Sequence, residues 1–152
     1  MMRHIVSIIV FCFVYIASLW ADESRYASQS LLSSGRGVKI KVEKSGVYRL
    51  TAADLKKMGF TDLSKVSIHG YGGWILDENF SKAGYLDDVP SVPVWTNGNA
   101  LFFYAKGPVK WEYDSRNDSF VHTNNPYSEA GYYFVTDATD TNSIKELPSV
   151  EG

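Results

Sequence analysis

Few side chains in this 152-residue sequence could make or break a covalent bond. It holds one cysteine, Cys12, and three histidines, His4, His69 and His122. A thiolate nucleophile needs an electropositive, accessible setting, yet Cys12 lies inside the apolar run Ile5–Trp20. Serine chemistry needs a base that is itself oriented by a third group. Only His69 and His122 lie outside the N-terminal segment, and no G-x-S-x-G elbow accompanies them. Those two imidazoles are far apart and have no zinc spacing. Asp137-Ala138-Thr139-Asp140 lacks the glycine and closing glutamate of a calcium loop. Asp87-Asp88, an acidic pair in a loop, is not expected to hold a cation. Gly70-Tyr71-Gly72-Gly73 follows a strand pattern, but no Gly-Lys-Ser/Thr and no helix come after it, so it is not a phosphate loop. No catalytic residue, metal site or cofactor is expected.

Aromatic residues are the other chemical resource, with 10 Tyr, 8 Phe and 4 Trp. Tyr71, Gly72, Gly73, Trp74 and Trp95 are the candidate ligand or partner contacts. The two glycines would permit a sharp backbone path with Trp74 packed beside it. Tyr71, Trp74, Trp95, Trp111 and Tyr113 could instead form a platform for sugars or peptide, and stacking faces on Tyr71, Trp74 or Trp95 give the alternative of a carbohydrate-binding surface module. Alternation puts Trp111 and Tyr113 on one face and Lys110 and Glu112 on the other. That is the pattern of core packing, and the core is where these rings are expected.

Composition narrows the partners. The formal net charge is −2, so nothing supplies the basic footprint of a nucleic-acid binder. Aromatic and β-branched residues are too frequent for disorder. Residues 1–21 have a short basic start at Arg3 and His4, the run Ile5–Trp20, then Ala21 before Asp22-Glu23-Ser24-Arg25. This is the layout of a secretory signal peptide, with cleavage between Ala21 and Asp22. The run is shorter than the roughly 20 apolar residues that span a bilayer. No membrane span is expected once it is removed, and the product is expected in the periplasm or at the cell surface.

The remaining chain must position its aromatics with short strands. Residues 22–36 read as a flexible lead-in and 137–152 as a polar tail, leaving a module over 37–136. Val38, Ile40 and Val42 alternate with Lys39, Lys41 and Glu43, a strand with one wet face. Val47–Leu50 alternates again after Lys44-Ser45-Gly46, so the two read as a hairpin. Thr51 and Asp54 open one short helix that Gly59 closes. It is too short to stand alone in water, so Leu55, Met58 and Phe60 should bind it to a sheet. Strands follow at Val66–His69 and at 93–105, the latter a hairpin about Asn97-Gly98. Leu101–Tyr104 is apolar on both faces and reads as a central strand. Lys110–Tyr113 and Phe120–His122 flank a turn at 114–118, and Gly131–Thr136 is the last strand. The fold class is therefore all-β: a sandwich-like module of about eight short, mostly antiparallel strands with one short helix.

Three blocks in order, SSGRGVKIKVEKSGVYRLTAADLKKMGF, SKVSIHGYGG and FVHTNNPYSEAGYYFVT, resemble the N-terminal region of PorU-type sortases of the type IX secretion system of Bacteroidetes, relatives of the gingipain cysteine peptidases. The resemblance covers roughly residues 31–136. It implies a β-rich module ahead of a peptidase domain whose catalytic Cys and His lie far downstream. No catalytic motif of the family is matched here. The resemblance thus implies an accessory, non-catalytic module, not an enzyme by itself. Its implied partners are a gingipain-type peptidase domain or type IX secretion components. The intact mass of the exported product should correspond to a chain beginning at Asp22. A product that retains the apolar run would contradict the signal reading.

Overall fold

A computed structural model describes residues 27–79, 86–139 and 141–144. The signal segment, with Ala21 and Asp22, lies outside the described residues. Nine strands are present among the described residues: β1 Gly37–Val42, β2 Gly46–Thr51, β3 Ser67–Gly72, β4 Ser91–Val92, β5 Val94–Thr96, β6 Ala100–Ala105, β7 Val109–Asp114, β8 Ser119–Asn124 and β9 Gly131–Thr136. They form a four-stranded sheet in the order β1-β9-β3-β4, a three-stranded sheet β2-β6-β5 and a two-stranded ribbon β7-β8. All the strand pairs are antiparallel. The expected all-β, sandwich-like class is what the chain adopts.

The core is the set of residues that strand alternation turns inward. Val42, Ile68, Tyr133 and Val135 from the first sheet meet Val94, Leu101, Phe103 and Ala105 from the second. Phe103 and Tyr133 meet edge-on across the interface, with centroids 5.7 Å apart. β6 and β9 are each the inner strand between two neighbours, which suits their runs of large apolar residues.

One local expectation fails. β1 and β2 do not pair as a hairpin: β1 pairs with β9, and β2 with β6. The connection Glu43–Ser45 carries the chain from one sheet to the other. Both strands gain by this, because each sets its alternate apolar side chains against a long apolar partner strand instead of against the other. The 93–105 hairpin does form, with Trp95 opposite Phe102. Its apex lies one residue later than expected: Asn97 N–H donates to the Ala100 carbonyl, and Gly98 carries the positive φ of 84°. The Asn97 side chain closes the turn by accepting from the Asn99 and Ala100 amides.

The short helix α1, Ala52–Lys57, is fixed at both ends. Thr51 and Asp54 form a reciprocal capping box. At the other end Phe60 N–H reaches the Leu55 carbonyl and Gly59 N–H the Lys56 carbonyl, with Gly59 at φ 92°. Leu55 and Phe60 are buried in the core and Met58 packs against it, as the apolar spacing requires.

The ends of the module are tied down by side chains. In the lead-in, Leu31–Ser33 makes one 3-10 turn. The Asp87 carboxylate accepts from Ala27 N–H, and Asp88 accepts from Leu31 N–H and the Ser30 hydroxyl. Asp137 accepts from Arg36 N–H at 2.8 Å. In the tail, Val94 N–H donates to the Asn142 carbonyl, Ile144 N–H donates to the Val94 carbonyl, and Thr141 Oγ1 bonds the Val66 carbonyl.

Gly131 shows how tight the end of the sandwich is. A Cβ there would sit 2.4 Å from the Lys106 carbonyl oxygen and 2.6 Å from Gly73 N, whereas one at Gly46 would meet nothing within 4 Å. Gly131→Ala should therefore cost on the order of 3 kcal/mol in urea unfolding, while Gly46→Ala should stay within about 0.5 kcal/mol. Equal effects would show that the close approach is not real.

Candidate functional site

The sequence places Gly72 and Gly73 at the end of β3, and the structure uses both for backbone contact. Gly72 has φ 84°, and a Cβ on it would lie 2.6 Å from the Tyr133 hydroxyl. A Cβ on Gly73 would lie 2.6 Å from the Gly107 carbonyl carbon. Gly73 N–H donates to the Lys106 carbonyl at 2.8 Å. Lys106 N–H in turn donates to the Tyr133 hydroxyl at 2.7 Å. The two sheets are thus stitched together at this end.

The β7-β8 ribbon leaves the sandwich from this seam. Gly107 N–H donates to Ser45 Oγ, Asn125 N–H to the Pro108 carbonyl, and Asn125 Nδ2 to the Gly73 carbonyl, each at 2.9 Å. The register then sets Trp111 opposite His122 and Tyr113 opposite Phe120. The ring centroids are 4.8 Å and 5.5 Å apart in these two pairs. Both pairs lie on one face. The opposite face carries the Lys110–Glu112 ion pair at 2.7 Å. Tyr113 donates its hydroxyl to Asp118 at 2.6 Å, and this holds its proton more firmly than usual.

The expectation that Trp111 and Tyr113 fill the core is wrong. Trp111 is 60% exposed, Tyr113 55% and Phe120 71%. Alternation fixed which side chains share a face but not what that face meets. β7 and β8 pair only with each other among the described strands, so no second sheet covers them. A two-stranded ribbon is marginal by itself in water. Its cross-strand ring pairs, each worth about 1 kcal/mol, help hold it together while leaving the apolar face bare. Phe120 was not singled out from sequence, and His122 was weighed there only as a base or a zinc ligand. The usable signal was the turn at 114–118, which fixes them opposite Tyr113 and Trp111.

The other candidate rings are divided. Tyr71 is half-buried and donates its hydroxyl to the Asp88 and Asp87 carbonyls at 2.6 and 3.1 Å. Burial, then the neighbouring Asp87 and Asp88, raise its pKa. Trp74 is half-buried under the ammonium groups of Lys106 and Lys110, 4.7 and 5.6 Å from its ring centroid. Its indole nitrogen is buried without a hydrogen-bond partner. Tyr71 and Trp74 share a shallow hollow of about 300 Å³ with Leu76 and Tyr127. Trp95 lies on β5 in the other sheet, 38% exposed, with its ring 5.1 Å from Phe102.

His69 has the outline of a serine-activating base without access. Its Nε2 lies 3.1 Å from Ser67 Oγ and 3.0 Å from Thr139 Oγ1, and its Nδ1 lies 3.4 Å from the Val89 carbonyl. A carbonyl can only accept, so Nδ1 carries the proton and Nε2 accepts from a hydroxyl. Ser67 is fully buried and donates to the Thr136 carbonyl. No substrate carbon can reach that oxygen, so the group knits β3 to residue 139. Asp87 and Asp88 spend their oxygens on the lead-in. Among the described residues no group of three or more His, Cys, Asp or Glu could hold a metal ion, and no helix is long and apolar enough to cross a membrane.

No family model and no curated protein matches this sequence. A solved structure does. The crystal structure of dimeric latent PorU from Porphyromonas gingivalis aligns with a TM-score of 0.75 and 47% identity over 82% of this chain. Over that stretch the chain is similar to part of PorU. It spans 11% of the length of that solved chain. The resemblance to a PorU-type N-terminal region, read from three sequence blocks, is thereby borne out.

The buried His69 of this PorU-like module makes stability depend on pH. Burial lowers its pKa, opposed by the Val89 carbonyl and the Asp88 charge. Unfolded, it takes up a proton near pH 6.5. Below that value the unfolded chain holds more protons than the folded one, so stability is complete above about pH 6.5 and declines as pH falls toward the lowered folded value. The urea midpoint should drop between about pH 7.5 and about pH 5.5, and His69→Gln should flatten that slope. An unchanged slope in the variant would assign the effect elsewhere.

Proposed function

We propose that the chain is an exported, non-catalytic module that works by protein–protein contact with a gingipain-type peptidase domain or another type IX secretion component. The likeness to part of PorU supports that context. The observation that carries the contact reading is the ribbon face of Trp111, Tyr113, Phe120 and His122. Contiguous exposed apolar surface of this kind marks interaction sites in soluble proteins, and aromatic residues dominate binding energy where they become buried between partners. The free edge of β8 adds main-chain groups to which a partner strand can pair. The ordered core gives the ribbon a fixed base. Work of this kind is done in the periplasm or at the cell surface.

The test mixes the purified chain with the peptidase domain of a PorU-type protein from the same host and measures binding by calorimetry. A complex is expected. The double variant Tyr113→Ser, Phe120→Ser should weaken it about 30-fold or more without lowering the melting temperature of the sandwich, whose core contains neither ring. Absence of a complex, or a complex indifferent to both substitutions, would overturn the reading.

A further inference from the structure

The root of the ribbon forms a cleft that shares Trp111 and His122 with the contact face and adds groups from the arch. Its volume is about 430 Å³, and it lies between the arch joining β1 to β2 and the first rungs of the ribbon. Glu43 and Lys44 come from the arch, and Trp111, His122 and Asn124 from the ribbon. The Trp111 ring is 60% exposed and is steadied by the His122 ring at 4.8 Å. Around it stand hydrogen-bonding groups of both senses. Among the described residues the Asn124 amide and the Lys44 ammonium have no hydrogen-bond or ion-pair partner. The Glu43 carboxylate is hydrogen-bonded by Lys41 through one oxygen at 2.8 Å, with the Lys44 charge near enough to favour its ionised form, and its other oxygen can accept.

We propose that this cleft is a saccharide-binding subsite. A pyranose ring offers an apolar C–H face and a rim of hydroxyls that both donate and accept. The cleft offers the complement: a flat, rigid indole for the C–H face, an amide and an ammonium as donors, and a carboxylate and an amide carbonyl as acceptors. Other classes fit less well. A phosphate would meet the Glu43 carboxylate in the same cleft, and the polar arch suits no purely apolar ligand. The inference does not rest on the contact reading, but Trp111 and His122 serve both, so a sugar and a peptidase domain would compete for them. It adds one consequence. Three of the cleft's polar residues, Glu43, Lys44 and Ser45, belong to the arch between the sheets and the others to the ribbon, so a bound sugar would brace the ribbon against the sandwich.

The test titrates the purified, isotope-labelled chain with methyl glycosides of glucose, galactose, mannose and N-acetylglucosamine, followed by NMR. At least one should shift the Trp111 indole signal together with the amides of residues 43–45, at millimolar concentration. It should also slow hydrogen exchange in β7 and β8. Trp111→Ala should weaken binding about tenfold or more, and Asn124→Ala should weaken it as well, while Trp95→Ala should leave it unchanged. Trp111 is exposed, so a circular dichroism spectrum unchanged in its variant confirms that the fold is intact. No shift with any of the four glycosides, or binding that survives Trp111→Ala, would overturn the proposal. Because the readout needs only the isolated chain, its failure is distinguishable from failure of the peptidase contact.

Discussion

Backbone meets backbone at one end of this sandwich, and the rest of the molecule is arranged around that approach. Gly73, Gly107 and Gly131 leave no room for a side chain where the ends of β3, β6 and β9 converge. The Tyr133 hydroxyl, buried from the first sheet, accepts the amide that follows β6 in the second. An unpaired buried amide there would be costly, so this hydrogen bond and the close packing stabilise one another. The ribbon begins three residues beyond that amide and returns through Asn125, whose side chain donates to the Gly73 carbonyl. The seam thus both closes the core and sets the direction in which the aromatic face is carried outward.

This division of labour gives the two parts different energetics. The sandwich buries its apolar side chains against two layers and α1 caps its core through Leu55 and Phe60. The ribbon has no layer of its own to bury against. It places four rings where solvent reaches them, an arrangement that adds little to folding and keeps surface free for association. The lead-in and the tail reinforce the first part. Asp87 and Asp88 hold residues 27–31, and the chain near residue 142 borders Val94 on β5, so ladder groups that β5 would otherwise leave open are partly satisfied.

Much of this was legible in sequence because the informative signals were local. The capping box at Thr51 and Asp54, the stop at Gly59, the double-sided apolar run of β6 and the turn at residues 114–118 each depend on a few neighbouring residues. What was not legible depends on distant partners. Val38–Val42 and Val47–Leu50 look like two arms of a hairpin because nothing local reveals that β9 and β6 compete for them. Trp111 and Tyr113 look like core because alternation reports a shared face and is silent about a facing layer. Among the candidate residues, Gly72 and Gly73 lie at the seam and Trp74 beside it, whereas Trp95 sits on the other sheet. The ring ladder that replaces Trp95 needed the cross-strand register before it could be seen.

The central claim is that the sandwich stands without the ribbon. Replacing residues 109–124 by a two-residue Asn-Gly turn between Pro108 and Asn125 tests this directly in a thermal melt. The account predicts a single cooperative transition within a few degrees of the parent chain, because no core residue is removed. A broad, non-cooperative melt would show that the ribbon is part of what holds the module together.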